Sequence, residues 1–238
     1  MKKRLLIGLV FSATLFILSG CSAFITEEDK ETSITVKKDK AKELDVELEL
    51  GIGEISVQKG AKEWVEGNAI YSLKKLKPRV RYDLRGNQGE VEIEHKDQKR
   101  FKISDIKNQW NIKLTDEIPI NLSVNTGAAM ANLDLRGLKI QDLDIETGVG
   151  ELSIDLRGDW EKSFEADIET GVGQTTVYLP SAVGVKIIIE KGIGTANVVG
   201  FISKGENVFV NEAYEDADVI LTVNAEMGVG EVSFKLDS

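Results

Sequence analysis

Ile145-Glu146-Thr147-Gly148-Val149-Gly150-Glu151-Leu152 is the stretch that decides the fold, because its centre keeps returning. Thr147-Gly148-Val149-Gly150 reappears as Thr126-Gly127-Ala128-Ala129, Thr170-Gly171-Val172-Gly173, Lys191-Gly192-Ile193-Gly194 and Met227-Gly228-Val229-Gly230. A further copy, Leu50-Gly51-Ile52-Gly53, lies nearer the start. The middle copies begin their glycines at 127, 148, 171 and 192, steps of 21, 23 and 21 residues. A period of this size marks one structural rung stacked on the next.

Around each glycine pair the residues alternate. Leu143 and Ile145 oppose Asp144 and Glu146, and beyond the glycines Leu152, Ile154 and Leu156 oppose Glu151, Ser153 and Asp155. Strict alternation is the period of a half-buried strand. Glycine supplies the positive φ and close backbone approach that a corner between two strands needs. The residue between the glycines is apolar, so Ala128, Val149, Val172, Ile193 and Val229 are expected to point into the core. Sustained helical periodicity is lacking, although Asp159–Lys162 could form one helical turn. The expected class is all-β, a stacked-rung β-solenoid resembling a single-stranded β-helix, with little helix.

The N-terminus reads as an address. Met1-Lys2-Lys3-Arg4 precedes an apolar run from Leu5 to Leu18, which is short for a membrane span of ~20 residues. The run ends in Leu18-Ser19-Gly20-Cys21, which resembles the bacterial lipobox. That resemblance implies a diacylglyceryl group on Cys21, a palmitate-bearing lipoprotein and residence on the extracytoplasmic side of a bacterial cell membrane. Cys21 is the only cysteine, so disulfides play no part in the expected fold. The chain divides into a signal peptide (1–21), a polar tether (22–42) ending in a short strand at Ile34–Val36, an N-terminal β region (43–115) and a repeat region (116–238). The last two could form one continuous stack.

Charge narrows the partners. There are 30 Lys+Arg against 40 Asp+Glu, a net charge of −10, and loss of the basic leader makes the mature chain more acidic. Nucleic acid is excluded, and anionic lipid would repel the body of the protein. Chemistry is equally sparse. His95 is the single histidine, expected exposed near a turn, and it cannot build a nucleophile–base set alone. The histidine and cysteine content is too low for a zinc site. Thr-Gly-Val-Gly lacks the Lys-Ser/Thr ending of a phosphate loop. No catalytic residue, metal ligand or cofactor is expected.

Two interaction surfaces remain. If the rungs are in register, Asn125, Glu146, Glu169, Glu190 and Glu226 form one outward column, with rungs ~4.8 Å apart. Such a strip could meet a divalent cation or a basic partner, or be only a solvated acidic face. The second surface is an insertion that stretches the period to 36 between Gly192 and Gly228 and carries Phe209 and Tyr214. It reads as a hairpin that covers the stack or as an apolar docking patch.

Leu44-Asp45-Val46-Glu47-Leu48-Glu49-Leu50-Gly51-Ile52-Gly53-Glu54, Trp110-Asn111-Ile112-Lys113-Leu114, Ile145–Leu152 and Asn211-Glu212-Ala213-Tyr214, in that order, resemble the toast-rack family of bacterial domains of unknown function. These are similar to the C-terminal domain of the cell-wall-active-antibiotic response proteins, which include a membrane inhibitor of an envelope-stress two-component system. The resemblance covers about Lys37 to Leu236 and implies stacked β-rungs and a part in sensing or signalling envelope stress. A lipid anchor replaces the inhibitor's transmembrane helices, which weakens the case for contact with a membrane-embedded kinase. The expected function is a non-enzymatic surface lipoprotein that binds a protein, such as an envelope or membrane protein, or a wall component. The alternatives are a passive adhesin-like spacer and a polysaccharide-active enzyme. The enzyme fits poorly, because Trp64, Trp110 and Trp160 share no rung position.

Overall fold

The computed structural model describes residues 29–95 and 106–237. Cys21 and the segment expected to be a signal peptide lie outside the described residues. The strands are β1 (Lys30–Val36), β2 (Glu43–Lys59), β3 (Val65–Tyr71), β4 (Pro78–Arg85), β5 (Gln88–His95), β6 (Asn108–Leu114), β7 (Ile120–Asp134), β8 (Ile140–Asp155), β9 (Phe164–Leu179), β10 (Gly184–Val199), β11 (Ile202–Gly205), β12 (Val208–Val210) and β13 (Ile220–Leu236). Two short 3-10 turns, Lys74–Leu76 and Glu212–Asp216, are the helical content of the described residues. Asp159–Lys162 is not helical. β1 begins at Lys30, so the segment read as a tether carries a full strand, paired antiparallel with β3.

All thirteen strands belong to one sheet, in the order β1-β3-β6-β2-β7-β8-β9-β13-β10-β12-β11, with β5 beside β2 and β4 beside β5. The long strands β2, β7, β8, β9, β13 and β10 run parallel, their repeated phrases in register. Each is a folded rung. β7 has 15 residues and would span roughly 50 Å if straight. Yet β8 starts at Ile140, beside Ile120 at the start of β7, after a connection that reaches only about 20 Å. The strand must therefore double back near its middle, at the glycine phrase. We call the part before the phrase the first leg and the part after it the second leg.

The burial pattern shows how the corner works. In β8 the buried residues are Ile140 at its start, then Leu143, Ile145 and Thr147 before the corner, and Leu152 and Ile154 after it. Parity switches across the corner, so both legs present apolar residues to the same interior. Val149 is consequently 53% exposed, Val172 47% and Ile193 75%, and Val229 and Ala128 are exposed as well. The expectation that these residues enter the core is overturned. The preceding threonine takes the place, Thr147 being 1% exposed. Its hydroxyl accepts a hydrogen bond from Thr126 (3.1 Å), and Thr170 and Thr175 pair at 2.9 Å. A β-branched residue with an internal partner satisfies both the strand and the apolar surroundings.

The two glycines of a corner do different work. Gly173 has φ +153°, and a Cβ there would run into the carbonyl oxygen of Gly150. Gly171 has no positive φ, but its Cβ would lie 2.5 Å from the Gly148 oxygen. Connections close the side opposite the corner with Leu135, Leu138, Leu156 and Trp160, all buried. The Trp160 indole donates to the Leu156 carbonyl at 2.7 Å and tilts onto Phe164 at 4.7 Å.

Two departures from simple stacking matter for the surfaces. First, β13 lies between β9 and β10, so the last rung in sequence is not the last in space. Second, the rung beyond β2 is split. β5 pairs with its first leg and β6 with its second. His95 ends β5 and is buried rather than exposed, at 4%. It packs against Gly51 and meets Trp110 edge-on at 6.3 Å, and burial lowers its pKa. Asn108, which opens β6, donates to the Ile52 carbonyl (2.7 Å) and accepts from the Trp110 indole (3.0 Å). These polar contacts finish the corner where no glycine phrase follows.

Candidate functional site

The outer face of the first leg is built from carboxylates. The expected column exists, but in the order Asn125, Glu146, Glu169, Glu226, Glu190, because β13 is inserted. Glu49 and Glu94 extend it through β2 and β5. The sequence analysis missed two further columns beside it. One runs Glu92, Glu47, Ser123, Asp144, Asp167, Asn224; the other runs Glu90, Asp45, Asn121, Asp142, Glu165. Their signal was the alternation Asp142, Asp144, Glu146, repeated as Glu165, Asp167, Glu169. A shallow groove of about 470 Å³ crosses this face over Asp45, Glu47, Asp142 and Asp144.

Like charges at strand spacing repel, and the face shows how the fold tolerates them. Amides act as spacers: Asn121 donates to Asp45 (2.7 Å), and Asn224 donates to Glu165 (2.6 Å) and Asp167 (2.8 Å). At one margin β4 supplies cations. Arg81 pairs with Glu92 and Glu94, and Arg85 with Glu90. Farther in, burial, followed by the charges of Asp167, Asp144 and Glu165, holds the Asp142 carboxyl above its ordinary pKa. Glu47 is raised likewise, by burial and then by the charge of Glu49.

The second-leg face is different. An unbroken ladder of hydroxyls and amides begins with Ser33, Asn68 and Asn111, continues through Ser56, Asn132 and Ser153, and ends with Thr176, Ser233 and Asn197. A groove of about 520 Å³ lies over its middle, bounded by Gln109, Glu54, Met130, Glu151 and Gln174 toward the corner and by Tyr178 on the far side. The acids near Tyr178 are neutralised within the sheet. Arg136 grips Asp134 with two bonds of 2.7 Å, and Arg157 grips Asp155 at 2.9 and 2.6 Å. The Arg136 hydrogen bond holds Asp134 below the usual carboxylate range. For Asp155 burial pushes upward, but the Arg157 hydrogen bonds and charge prevail and its pKa is lowered.

The insertion with Phe209 and Tyr214 does not join either face. β12 pairs antiparallel with Lys186–Ile188 of β10, and Phe209 sits opposite the buried Ile187 and packs on the core. Tyr214 is half-buried in the 3-10 turn Glu212–Asp216. The segment covers the first-leg edge of β10 and, among the described residues, no strand lies beyond its second-leg edge from Thr195 to Val199. Among the described residues, no group of three or more His, Cys, Asp or Glu side chains gathers closely enough to hold a metal ion.

The bent, parallel, in-register rungs have a counterpart among known families. The family described as the N-terminal domain of toast_rack, DUF2154, matches residues 25–178. The chain belongs to that family. A solved structure of very similar shape is that of a "putative cell adhesion protein" from Clostridium sporogenes ATCC 15579. It is 33% identical with a TM-score of 0.86, over 88% of this chain and 100% of that one. Solved structures of a "putative adhesin" from Bacteroides fragilis NCTC 9343 and another from Parabacteroides merdae ATCC 43184 are each 11% identical. Their TM-scores are 0.31 and 0.25, with 87% and 89% of this chain covered and 97% of each of theirs. At that level they carry no weight for fold or function. Among curated proteins none matches.

Proposed function

We propose that this toast_rack chain is a non-enzymatic binding protein of the adhesion type. It is held by a lipid on Cys21 at the outer side of the bacterial cytoplasmic membrane, where it engages a basic envelope or membrane protein and tunes cell-envelope stress signalling. The observation that carries the reading is the three-column carboxylate face of the first leg. Its repulsion costs stability, and a fold that needed only solubility could scatter the charges. A cationic partner would convert that cost into attraction and steer the encounter. The Clostridium sporogenes relative supports the adhesion class at 33% identity over its whole length.

The test is in-cell photo-crosslinking from positions 123 and 125, which share this face and leave its carboxylates in place, repeated on membranes at low and high salt. A partner should be captured at low salt and lost as the Debye length shrinks from about 10 Å at 0.1 M toward about 3 Å at 1 M. A Glu146→Gln, Glu169→Gln, Glu226→Gln, Glu190→Gln variant should lose capture while keeping its fold. Capture that ignores both salt and charge, or unchanged responses to wall-active antibiotics after gene deletion, would leave a passive spacer. Cys21→Ser should release the protein from membranes or block its processing; normal processing with full retention would remove the anchor from the proposal.

A further inference from the structure

We propose that the second-leg groove is a binding site for an extended, uncharged glycan strand. This goes beyond the charged docking of the first leg and does not depend on it. Three observations lead there. First, the groove is a concavity of about 520 Å³ that crosses five strands, from Gln109 on β6 to Gln174 on β9. A polymer can lie along it, across the strands. Second, apart from Asn111, whose amide donates to Asn68, the hydroxyl and amide ladder under it is not spent on the fold. Among the described residues, no side-chain hydrogen bond engages Ser56, Asn132, Ser153 or Thr176. Each of these both donates and accepts, as sugar hydroxyls and acetamido groups do. Third, the lining excludes other occupants. It lacks the cation cluster that nucleic acid or an anionic polymer needs. Its aromatic residues are not free to anchor a protein partner: Trp110 is buried and the Tyr178 ring is already engaged by Arg157 and Lys235, which leaves Met130 as its one large exposed apolar side chain.

The register gives the site its logic. Successive rungs place a side chain that can both donate and accept, an amide or a hydroxyl, about every 4.8 Å. That spacing is comparable with the advance per unit of an extended polysaccharide, so one contact can be repeated unit by unit. Individually weak contacts then add along the strand, provided several rungs are engaged at once. Tyr178 bounds the far side, its ring already attended by Arg157 at 5.1 Å and Lys235 at 5.4 Å. Recognition therefore rests on hydrogen bonds rather than on stacking against an aromatic platform.

The experiment is calorimetric titration of the detergent-solubilised full chain with chitohexaose and with cellohexaose, at low and high salt. Binding of at least one, with a Kd below about 1 mM and unchanged by salt, is expected. Asn132→Ala, Ser153→Ala, Thr176→Ala should weaken it by about tenfold or more with an unaltered melting temperature. Ser56→Arg, which fills the groove from another rung, is the second variant should the triple one melt early. No heat from either sugar overturns the proposal, as does binding that survives both variants. A crosslinker at position 153 that captures a polypeptide while neither sugar binds would assign the groove to protein instead. Salt separates the two surfaces: loss of the first-leg partner leaves sugar binding intact, and the reverse.

Discussion

The two legs of each rung share a core, a corner and a register, yet their outer faces have nothing in common. The first leg sets Asp142, Asp144 and Glu146 where the second sets Glu151, Ser153 and an arginine-clamped Asp155. Inward positions are dictated by packing and look alike in both legs. Outward positions are free of that demand, so the contrast between an acidic first leg and a largely neutral second leg is the ground on which we propose different occupants for the two faces. Two grooves of similar size, about 470 and 520 Å³, carry the contrast.

The comparison presupposes a common corner, and the largest expected effect comes from breaking it. Gly173→Val should cost about 3 kcal/mol or more, since it forces a β-branched residue to φ +153° against the Gly150 carbonyl. Gly171→Ala, with ordinary φ but a 2.5 Å approach, should cost about 1–3 kcal/mol. Denaturant melts that rank the two variants the other way would dismiss the division of labour between the glycines.

A middling effect separates the legs by pH. Glu47 and Asp142 have raised pKa values, so the folded state holds their protons more tightly than the unfolded chain. Their contribution improves as pH falls through the folded values and is complete below the ordinary carboxylate range. Asp134 and Asp155 have lowered values; their stabilisation is present above the unfolded pKa and is lost as pH falls through the folded one. At neutral pH, Glu47→Gln with Asp142→Asn should raise the melting temperature by about 2–4 °C, and Asp134→Asn with Asp155→Asn should lower it by a similar amount. Shifts of the same sign from both pairs would mean that the legs do not differ electrostatically.

A small effect sharpens the contrast further. Asn132→Glu with Thr176→Glu gives the second leg charges like those of the first, and should change stability by less than about 1 kcal/mol. Collapse of the fold would show that the neutral ladder is structural. The smallest change is expected from Thr147→Val, within about 1 kcal/mol, because shape is kept and one hydroxyl pair is lost. A cost of several kcal/mol would make the buried threonines a larger element of the corner than packing suggests.

Much of this was legible in the sequence. Alternation marked the legs, the glycine phrase marked the corner, and the period placed Glu146 and Glu169 in one column. Three things were not legible. Val149 was taken as core because apolar residues usually are, whereas the parity switch across the corner gives that place to Thr147. The position of β13 between β9 and β10 is a long-range pairing that local pattern cannot reveal. The ladder of serines and asparagines escaped notice because its members come from strands as far apart as Ser33 and Ser233, and only the register lines them up. His95 belongs with these, a buried residue whose setting depends on Gly51 and Trp110 from two other strands.

The placement of β13 also governs when the molecule can be finished. Chains are made, and on export delivered, from the N-terminus. β10 is complete well before Ile220 emerges, but its strand partner on the stack side is β13, and β9 waits for the same segment. Until β13 arrives, two edges stand open, and the hairpin of β11 and β12 has only an undocked strand to cover. The C-terminal strand therefore works as a keystone. Truncation before Ile220 should lose β10 and the hairpin together rather than trim one rung, and hydrogen exchange should show those amides and those of β9 losing protection at once. Protection of β10 in the truncated chain would show that the rack can close without its key.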